Sequence, residues 1–437
     1  MLTDLRIENF RVFNEEVHLR LRPITLLIGR NSAGKSSIMK FLLMLQQSLS
    51  MNEVGFLAPE GDRVHLGAFG DLRNSVGRRP KLRFRLDFTT RDIPSQRERK
   101  MLESMQHREF KTDPVSKRSE MRIVIEEQED DKTVKDELAR YIVETSVSYS
   151  AKAGQTGYHR VTGKIGDEQI INTGTNNLRT SQFLRFREQS NDPKKALQSF
   201  WTDRFLSPLR EEMRLWRHLS PVREESQRAI VTASPPPNSV GQMGEYAMPH
   251  LQRIFNEGGE TADFVFRHMS SVAGVDSIRF ESSMKGYLAH ARAKNKITNA
   301  ESYLSDFGFG VSQCLPIFVQ GALLGPEQLL MVEQPEAQLH PSAQLELGTF
   351  FAELLNERKV ISLIETHSSQ LILRLRRLVA NNTLKPEDVS LAYVHVDEGM
   401  PKIKNLDILP NGNLDKGLPM EFFGADIMES VKLGQGQ

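Results

Sequence analysis

The sequence is nearly free of cysteine, since Cys314 is the only one among its 437 residues. A single cysteine excludes a disulfide within the chain and is typical of proteins in a reducing compartment. Because Cys314 begins an apolar run that continues to Phe318, we expect a packed core residue rather than a catalytic nucleophile.

The sequence also lacks an excess of either charge. Its 57 lysines and arginines stand against 56 aspartates and glutamates, which gives a formal net charge of +1. This balance points to no nucleic acid, membrane or acidic partner, so any basic surface must be local. With 39% hydrophobic and 26% charged residues, the chain is expected to be globular, with two or three domains at roughly one per 150 residues.

Long apolar runs are missing as well. No uninterrupted apolar stretch approaches the ~18 residues that a membrane span needs. The first dozen residues carry Asp4, Arg6, Glu8 and Arg11 where a signal peptide has its apolar core. We therefore expect a cytoplasmic protein without a membrane partner. No heptad pattern is sustained over several repeats either, which argues against a long coiled-coil arm.

What the sequence does contain is a phosphate-binding loop between a predicted strand, residues 24–28, and a predicted helix, residues 38–45. The loop fits the pattern G-x-x-x-x-G-K-[ST]. Its glycines let successive backbone N–H groups turn toward one phosphate, and the helix adds its positive N-terminal end. Lys35 would lie along the β- and γ-phosphates of ATP, and Ser36 would offer its hydroxyl to Mg²⁺. The predicted nucleotide-binding residues of the loop are Gly29, Asn31, Ser32, Ala33, Gly34, Lys35, Ser36 and Ser37.

Two further predicted strands end in residues that suit nucleotide chemistry, the first in acids and the second in a histidine. The apolar residues 329–332 lead to Glu333-Gln334-Pro335-Glu336, and the apolar run that ends at residue 364 leads to Glu365-Thr366-His367. A buried parallel strand presents such side chains at its C-terminal edge.

These segments together resemble the head of RecF-like and SMC-like ATPases, the ABC class that works on DNA. Residues 7–13, which read Ile-Glu-Asn-Phe-Arg-Val-Phe ahead of the phosphate loop, are similar to the segment found there. The resemblance implies an α/β P-loop ABC-type head with a mixed sheet, in which a compact inserted α+β region replaces the coiled-coil arm. The implied divisions are 1–90 and 301–437 for the two parts of the head and 91–300 for the insertion.

The same resemblance implies roles for the acidic strand ends. Glu333 would hold Mg²⁺ together with the loop serine. Gln334 stands where most ABC ATPases have the glutamate that polarises the attacking water, and an amide can orient water but cannot take a proton. Glu336 and His340 are nearby substitutes, and His367 matches the switch that senses the γ-phosphate. ATP binding with slow hydrolysis is the expectation.

A second glycine-bearing loop, residues 305–313, precedes an apolar helix and includes Gly310, Ser312 and Gln313. In the ABC class such a signature loop reaches across a dimer to the γ-phosphate held by the other subunit, which implies an ATP-linked homodimer. The sequence of this loop departs from the usual Leu-Ser-Gly-Gly-Gln. An ordinary helix cap is the alternative interpretation.

Three stretches narrow the resemblance to a bacterial family of predicted ATPases that resembles the ATPase subunits of anti-phage systems such as Septu and PARIS. They are residues 240–245, the Glu-Gln-Pro-Glu wording at 333–336 and the Pro-Met-Glu-Phe-Phe tail at 419–423. This implies an ATP-dependent dimer that regulates a separate nuclease or toxin in phage defence. The alternative is a RecF-like DNA-binding ATPase of repair. An OLD-type nuclease is disfavoured, because the 70 residues after His367 are too few for a Toprim domain and no spaced metal cluster is visible.

Two segments of local positive charge leave DNA binding open. Residues 91–121 are basic and predicted to be helical, but their interspersed glutamates favour a solvated helix over a nucleic-acid face. Residues 199–228 could contact nucleic acid, a phosphate or a subunit through their arginines, and the sequence does not decide between these. The arginines concerned are Arg204, Arg210, Arg214, Arg217, Arg223 and Arg228.

Overall fold

The structure is a computed structural model. It describes residues 2–50, 58–74, 82–88, 119–128, 140–151, 155–164, 177–178, 212–231 and 235–417. Of the segment predicted to be helical at 91–121, residues 91–118 lie outside the described residues, and residues 119–121 begin strand β5 instead. Arg204, Arg210 and the tail after residue 417 also lie outside the described residues.

The strands and helices are numbered in chain order. The strands are β1 Leu2–Glu8, β2 Val17–Arg20, β3 Ile24–Gly29, β4 Arg83–Phe88, β5 Ser119–Gln128, β6 Arg140–Ala151, β7 Gln155–Lys164, β8 Asn177–Leu178, β9 Arg217–Leu219, β10 Ile230–Val231, β11 Val275–Ser283, β12 Leu288–Asn295, β13 Glu301–Tyr303, β14 Leu329–Glu333, β15 Ile361–Glu365, β16 Val389–Asp397 and β17 Met400–Asp407. The helices are α1 Lys35–Ser50, α2 Ala247–Glu257, α3 Gly259–Ala273, α4 Phe309–Leu323, α5 Pro341–Arg358 and α6 Ser369–Ala380.

Contacts within the chain divide it into two compact units. Unit 1 comprises Met1–Arg20, Lys40–Arg214 and Val396–Lys402, and unit 2 comprises Leu21–Met39, Leu215–His395 and Ile403–Gln437. The predicted domain boundary at residue 300 does not coincide with this division. The described residues between 215 and 300 share a unit with the phosphate loop, because β9 joins its sheet and α2 and α3 pack on α4.

The described residues of unit 1 form two sheets, of which the first is antiparallel and the second is mixed, because β8 pairs with β7 in parallel. In the first, β1 pairs with β2 on one side and with β4 on the other, and its residues are partly buried and partly half-buried, as expected for a sheet with one solvated face. The rings of Phe10 and Phe84 each meet Phe41 edge to face, at centroid distances of 5.2 and 5.0 Å. The second sheet has the order β5-β6-β7-β8.

Unit 2 is built on a six-stranded sheet with the order β17-β16-β3-β15-β14-β9. Strands β9, β14, β15, β3 and β16 run parallel to one another, and β17 returns from β16 through the turn at Glu398-Gly399. Every residue of β3, β14 and β15 is buried, as expected for parallel strands that are covered on both faces. The mixed α/β fold predicted from the sequence is therefore confirmed, and the C-terminal ends of three central strands share one edge.

Helices α2 to α5 bury a large apolar core in unit 2. An aromatic group joins three of them, with Phe318 of α4 and Phe264 of α3 against Phe350 of α5. Cys314 is fully buried, and burial raises the pKa of its thiol to about 12, which confirms a packing role. In the described part of the chain, no helix is both long enough and apolar enough to cross a bilayer.

Candidate nucleotide site

The phosphate loop connects the end of β3 to the start of α1. Gly29 and Gly34 have φ values of 140° and 112°, which a residue with a side chain rarely adopts. A Cβ on Gly29 would lie 2.0 Å from the backbone oxygen of Val394, so the close approach of β16 also requires glycine. Asn31 and Ser32 are exposed at the tip of the loop, whereas Ala33 and Ser37 are buried beneath it.

The ammonium group of Lys35 folds back onto its own loop. Its Nζ donates to the backbone oxygens of Gly29 at 3.0 Å and Arg30 at 2.8 Å. Burial lowers the pKa of Lys35, while the charges of Glu365 and Glu336 act in the opposite direction. This cation is therefore available to phosphate oxygens that replace the two carbonyl groups.

Ser36, the first hydroxyl of α1, contacts a carboxylate that sequence reasoning had not singled out. Its Oγ donates to Oε1 of Glu365 at 3.0 Å. Glu365 is the last residue of β15 and only 3% exposed, and its Oε2 has no hydrogen-bond partner. Burial, and next the charge of Glu333, raise the pKa of Glu365 to about 7. Its place at the C-terminal end of a buried strand is the same signal that identified Glu333.

Glu333 ends β14 and is the direct partner of Glu365 across the parallel ladder. Its Oε1 lies 2.8 Å from Nε2 of His218, and Nδ1 of that ring lies 3.2 Å from Oε1 of Gln242. His218 is a buried residue of the three-residue strand β9. No local pattern marks a strand this short, so only the order of strands in the sheet reveals His218 as a partner of the acidic strand end.

Gln334 and Glu336 lie just beyond β14 with different surroundings. Gln334 is half-buried, has a φ of 46° and donates its backbone N–H to the backbone oxygen of Glu365 at 2.7 Å. Glu336 accepts from the hydroxyl of Thr366 at 2.8 Å and from the backbone N–H of His367 at 2.6 Å, one with each carboxylate oxygen. Burial raises the pKa of Glu336. Glu336 therefore holds the loop after β15 in place.

Two predicted histidines lie at the ends of elements. His367 is exposed on the loop after β15, and partial burial together with the charge of Lys35 lowers its pKa, so the neutral ring is favoured. His340 caps α5, because its Nδ1 accepts from the backbone N–H of Ser342 at 3.3 Å. The ring therefore caps its own helix, and its role as a substitute base stays a prediction.

The signature residues lie in the first turn of α4, but two of their side chains point into the chain. Ser312 and Gln313 are 3% and 6% exposed. Ser312 Oγ accepts from the backbone N–H of Ser226 at 3.1 Å, and Gln313 Nε2 donates to the backbone oxygen of Arg223 at 3.2 Å. The segment after β9 thus packs over the start of the helix, and the reach of the signature loop across a dimer stays a prediction. Gly310 is half-buried there.

Arg223 connects the signature helix to the acidic strand end. It is buried and donates to the backbone oxygen of Glu333 at 2.6 Å and to that of Gln313 at 3.3 Å. Burial lowers its pKa to about 10, so the guanidinium remains charged at neutral pH. Among the six arginines of the predicted basic segment, Arg223 therefore has a contact role inside the fold.

The oxygen ligands of this edge fit a magnesium ion that binds with a nucleotide. Within the described segments, no three histidine, cysteine, aspartate or glutamate side chains form a ready-made metal cage. Mg²⁺ does not need one, because it is usually held by one or two carboxylates, a hydroxyl, phosphates and water. Oxygen donors of these kinds lie at this edge in Ser36, Glu333 and Glu365, and Oε2 of Glu365 has no hydrogen-bond partner.

Comparison with known proteins identified a family and several structures of similar shape. The model of the AAA ATPase domain family matches residues 1–372. An SMC head domain from Thermotoga maritima has a TM-score of 0.38 and 9% identity, covering 92% of this chain and 98% of that chain. An SMC head with an extended coiled coil, bound to the C-terminal domain of ScpA from Pyrococcus furiosus, has a TM-score of 0.39 and 11% identity, covering 99% of each chain. No curated protein matched.

The family match spans most of the sequence and contains the phosphate loop, both acidic strand ends and His367. The geometry at the sheet edge agrees with that match, because the loop lysine, the loop serine and the acidic strand ends meet there. This chain belongs to the AAA ATPase domain family of nucleotide-binding ATPases.

Proposed function

We propose that this chain is an ABC-type ATPase whose ATP-bound form pairs with a second copy and regulates a separately encoded effector, a nuclease or toxin, in bacterial phage defence. The observation that carries the proposal is the convergence of Lys35 and Ser36 with the ends of β14 and β15. The contact between Ser36 and Glu365 joins the loop to that edge directly. Such an edge is where open α/β sheets bind their ligands.

In the nucleotide-bound state, Lys35 would exchange the oxygens of Gly29 and Arg30 for β- and γ-phosphate oxygens. The backbone N–H groups of the loop and the start of α1 supply further positive potential. Ser36 and Glu333 would hold the magnesium ion, whose chemistry is to neutralise the charge on these phosphates. His218 would keep the carboxylate of Glu333 in place through its 2.8 Å contact.

Slow hydrolysis follows from the groups around the attacking water. The amide of Gln334 can orient a water molecule but cannot accept its proton. Glu336 has a hydrogen bond on each carboxylate oxygen, so taking a proton would disrupt the loop after β15. A site with this arrangement suits a switch that keeps ATP bound for long periods.

The signature segment is the element of the proposed dimer that would face the second copy's nucleotide. Within one chain, Ser312 and Gln313 are engaged by the segment that contains Arg223 and Ser226. Their approach to a γ-phosphate in the partner therefore requires that segment to move. Gly310 is half-buried at the first turn and needs no such movement.

The role in defence is supported by the resemblance of three stretches to ATPase subunits of anti-phage systems. The alternative is a RecF-like DNA-binding ATPase, and two arginines of the segment 199–228 are engaged within the chain instead of free for DNA. Arg223 is buried, and Arg228 pairs with Asp306 at 2.8 Å. DNA binding by the pure protein that weakens steeply with salt would favour that alternative.

The proposal is tested by measuring the mass of the protein in solution without nucleotide, with ATP and magnesium, and with ADP and magnesium. We expect a monomer that becomes a dimer with ATP only, and we expect Lys35→Ala to remain a monomer in all three conditions. A wild-type mass that does not respond to ATP would overturn the switch. The neighbouring genes then discriminate between an adjacent effector and adjacent repair genes.

A further inference from the structure

Glu365 is a buried acidic side chain at the end of β15, and its carboxylate accepts a hydrogen bond from Ser36. We propose that Glu365 is a direct ligand of the magnesium ion beside Ser36, so that this chain has one acidic metal ligand more than Glu333 alone provides. The inference rests on the proposed binding of ATP with magnesium, and it adds a residue to that site.

The distance between the two oxygens supports direct coordination. Ser36 Oγ and Glu365 Oε1 are 3.0 Å apart. An octahedral magnesium ion binds its ligands at about 2.0–2.1 Å, which places adjacent ligands about 2.9 Å from each other. The hydroxyl and the carboxylate are therefore already spaced as neighbouring ligands, and binding would replace their mutual hydrogen bond without moving either oxygen far.

The second oxygen of Glu365 also indicates a missing ligand. Glu365 is 3% exposed, and its Oε2 has no hydrogen-bond partner in the structure. A buried polar atom of this kind carries a desolvation cost that a ligand can remove. The neighbouring acids differ, because Glu336 has a partner on each oxygen and Glu333 is directed at His218. Glu365 is thus the acid at this edge with the most unused capacity.

The negative charges of Glu333 and Glu365 also favour a bound cation at this edge. Glu333 and Glu365 are direct partners at the ends of adjacent parallel strands, so their carboxylates repel each other and repel a bound triphosphate. A divalent cation between them and the phosphates removes both repulsions. Magnesium should therefore strengthen ATP binding strongly in the wild type, and more weakly when Glu365 is neutral.

The experiment measures the ATP dissociation constant by calorimetry in magnesium and in EDTA, for the wild type and for Glu365→Gln. The ratio to compare is the ATP dissociation constant in EDTA divided by the one in magnesium. We expect this ratio to be smaller in Glu365→Gln than in the wild type by about tenfold or more. In EDTA the variant should bind ATP as tightly as the wild type or more tightly, because a repulsive charge is gone. Glu346→Gln is the matched control, because it removes a carboxylate of α5 that pairs with Arg374 of α6. This variant should keep the wild-type ratio.

A second variant and a second readout keep the outcome decisive. Glu365→Asp keeps the charge on a shorter side chain, so its ratio should lie between those of the wild type and Glu365→Gln. This variant still tests the proposal if Glu365→Gln folds poorly. Electron paramagnetic resonance of Mn²⁺ in the ATP complex should show an altered metal environment in both variants. Unchanged ratios and spectra in a wild type that binds ATP would overturn the role of Glu365. A wild type that does not bind ATP at all would instead overturn the proposed function.

Discussion

The guanidinium of Arg223 donates to the backbone oxygen of Glu333 at 2.6 Å while it also contacts the backbone oxygen of Gln313. One buried side chain thus bridges the start of α4 and the acidic end of β14. In the proposed dimer, the start of α4 would face the nucleotide of the partner subunit. The end of β14 would face the nucleotide of the same subunit. We therefore expect Arg223 to position these two elements relative to each other.

Replacement of Arg223 by glutamine should destabilise unit 2 by about 1–3 kcal/mol, because two buried carbonyl groups lose a charged donor. We expect ATP-dependent pairing to weaken more than ATP binding, since the side chain contacts no residue of the phosphate loop. Urea unfolding and the mass of the protein with ATP check the two effects. Arg228→Gln is the control, because its exposed pair with Asp306 should contribute less than about 1 kcal/mol. Equal losses in the two variants would contradict the bridge.

Gln334→Glu should accelerate ATP hydrolysis, because it supplies a group that can accept the proton of the attacking water. A positioned general base contributes about 10²–10⁴-fold, and we expect at least about tenfold here. Steady-state phosphate release measures the effect. Gln338→Glu is a matched control, since Gln338 is a nearby exposed glutamine that also has a positive φ, 62°. An unchanged rate in Gln334→Glu would show that water activation does not limit hydrolysis.

Ser312→Arg should leave ATP binding intact and prevent ATP-dependent pairing. The burial of Ser312 adds a second expectation, because an arginine must displace the segment at Ser226 and should cost about 1–3 kcal/mol of stability. Ser312→Ala separates the effect on pairing from the effect on stability, since it removes only the hydroxyl that accepts from Ser226. Solution mass with ATP and thermal unfolding are the measurements. Normal pairing by folded Ser312→Arg would show that the signature helix does not act across a dimer.

Lys35→Ala should abolish measurable ATP binding while the fold is preserved. The ammonium group is buried and donates to the backbone oxygens of Gly29 and Arg30 in its own loop, so its removal relieves a desolvated charge. Calorimetry with ATP and magnesium tests the binding, and circular dichroism tests the fold. Lys359→Ala, at the exposed end of α5, should retain wild-type affinity. Retained affinity in Lys35→Ala would refute the phosphate role.

Acid should destabilise unit 2 through His268. The ring is buried against Phe264 and Phe350, and burial lowers its pKa to about 4. A folded-state pKa below the unfolded value of 6.5 means that the unfolded chain binds more protons between pH 6.5 and pH 4. The contribution is therefore complete above pH 6.5 and is lost as the pH falls toward 4, with a magnitude of about 3 kcal/mol.

Urea unfolding at pH 7, 5.5 and 4.5 checks this prediction. His268→Gln should reduce the slope of stability against pH in that window, whereas His65→Gln, which changes an exposed ring, should leave it unchanged. An identical slope in all three proteins would assign the acid sensitivity to other groups.

The sequence by itself determined the phosphate loop, the buried strands β14 and β15 with their polar ends, and the hairpin of β16 and β17. These features depend on local chemistry: glycine at positive φ, continuous apolar runs in covered parallel strands, and a turn at Glu398-Gly399. The role of Lys35 likewise follows from its neighbours in the chain.

Only the tertiary structure decided which distant groups surround that loop. His218 reaches Glu333 because a three-residue strand takes the sheet edge next to β14, and no periodicity can be read from three residues. Arg223 could not be separated from the other arginines of its segment until its contacts with Glu333 and Gln313 were seen. The contact of Glu365 also depends on the tertiary structure, because the pairing of β15 with β3 brings its carboxylate to Ser36, 329 positions away in the chain.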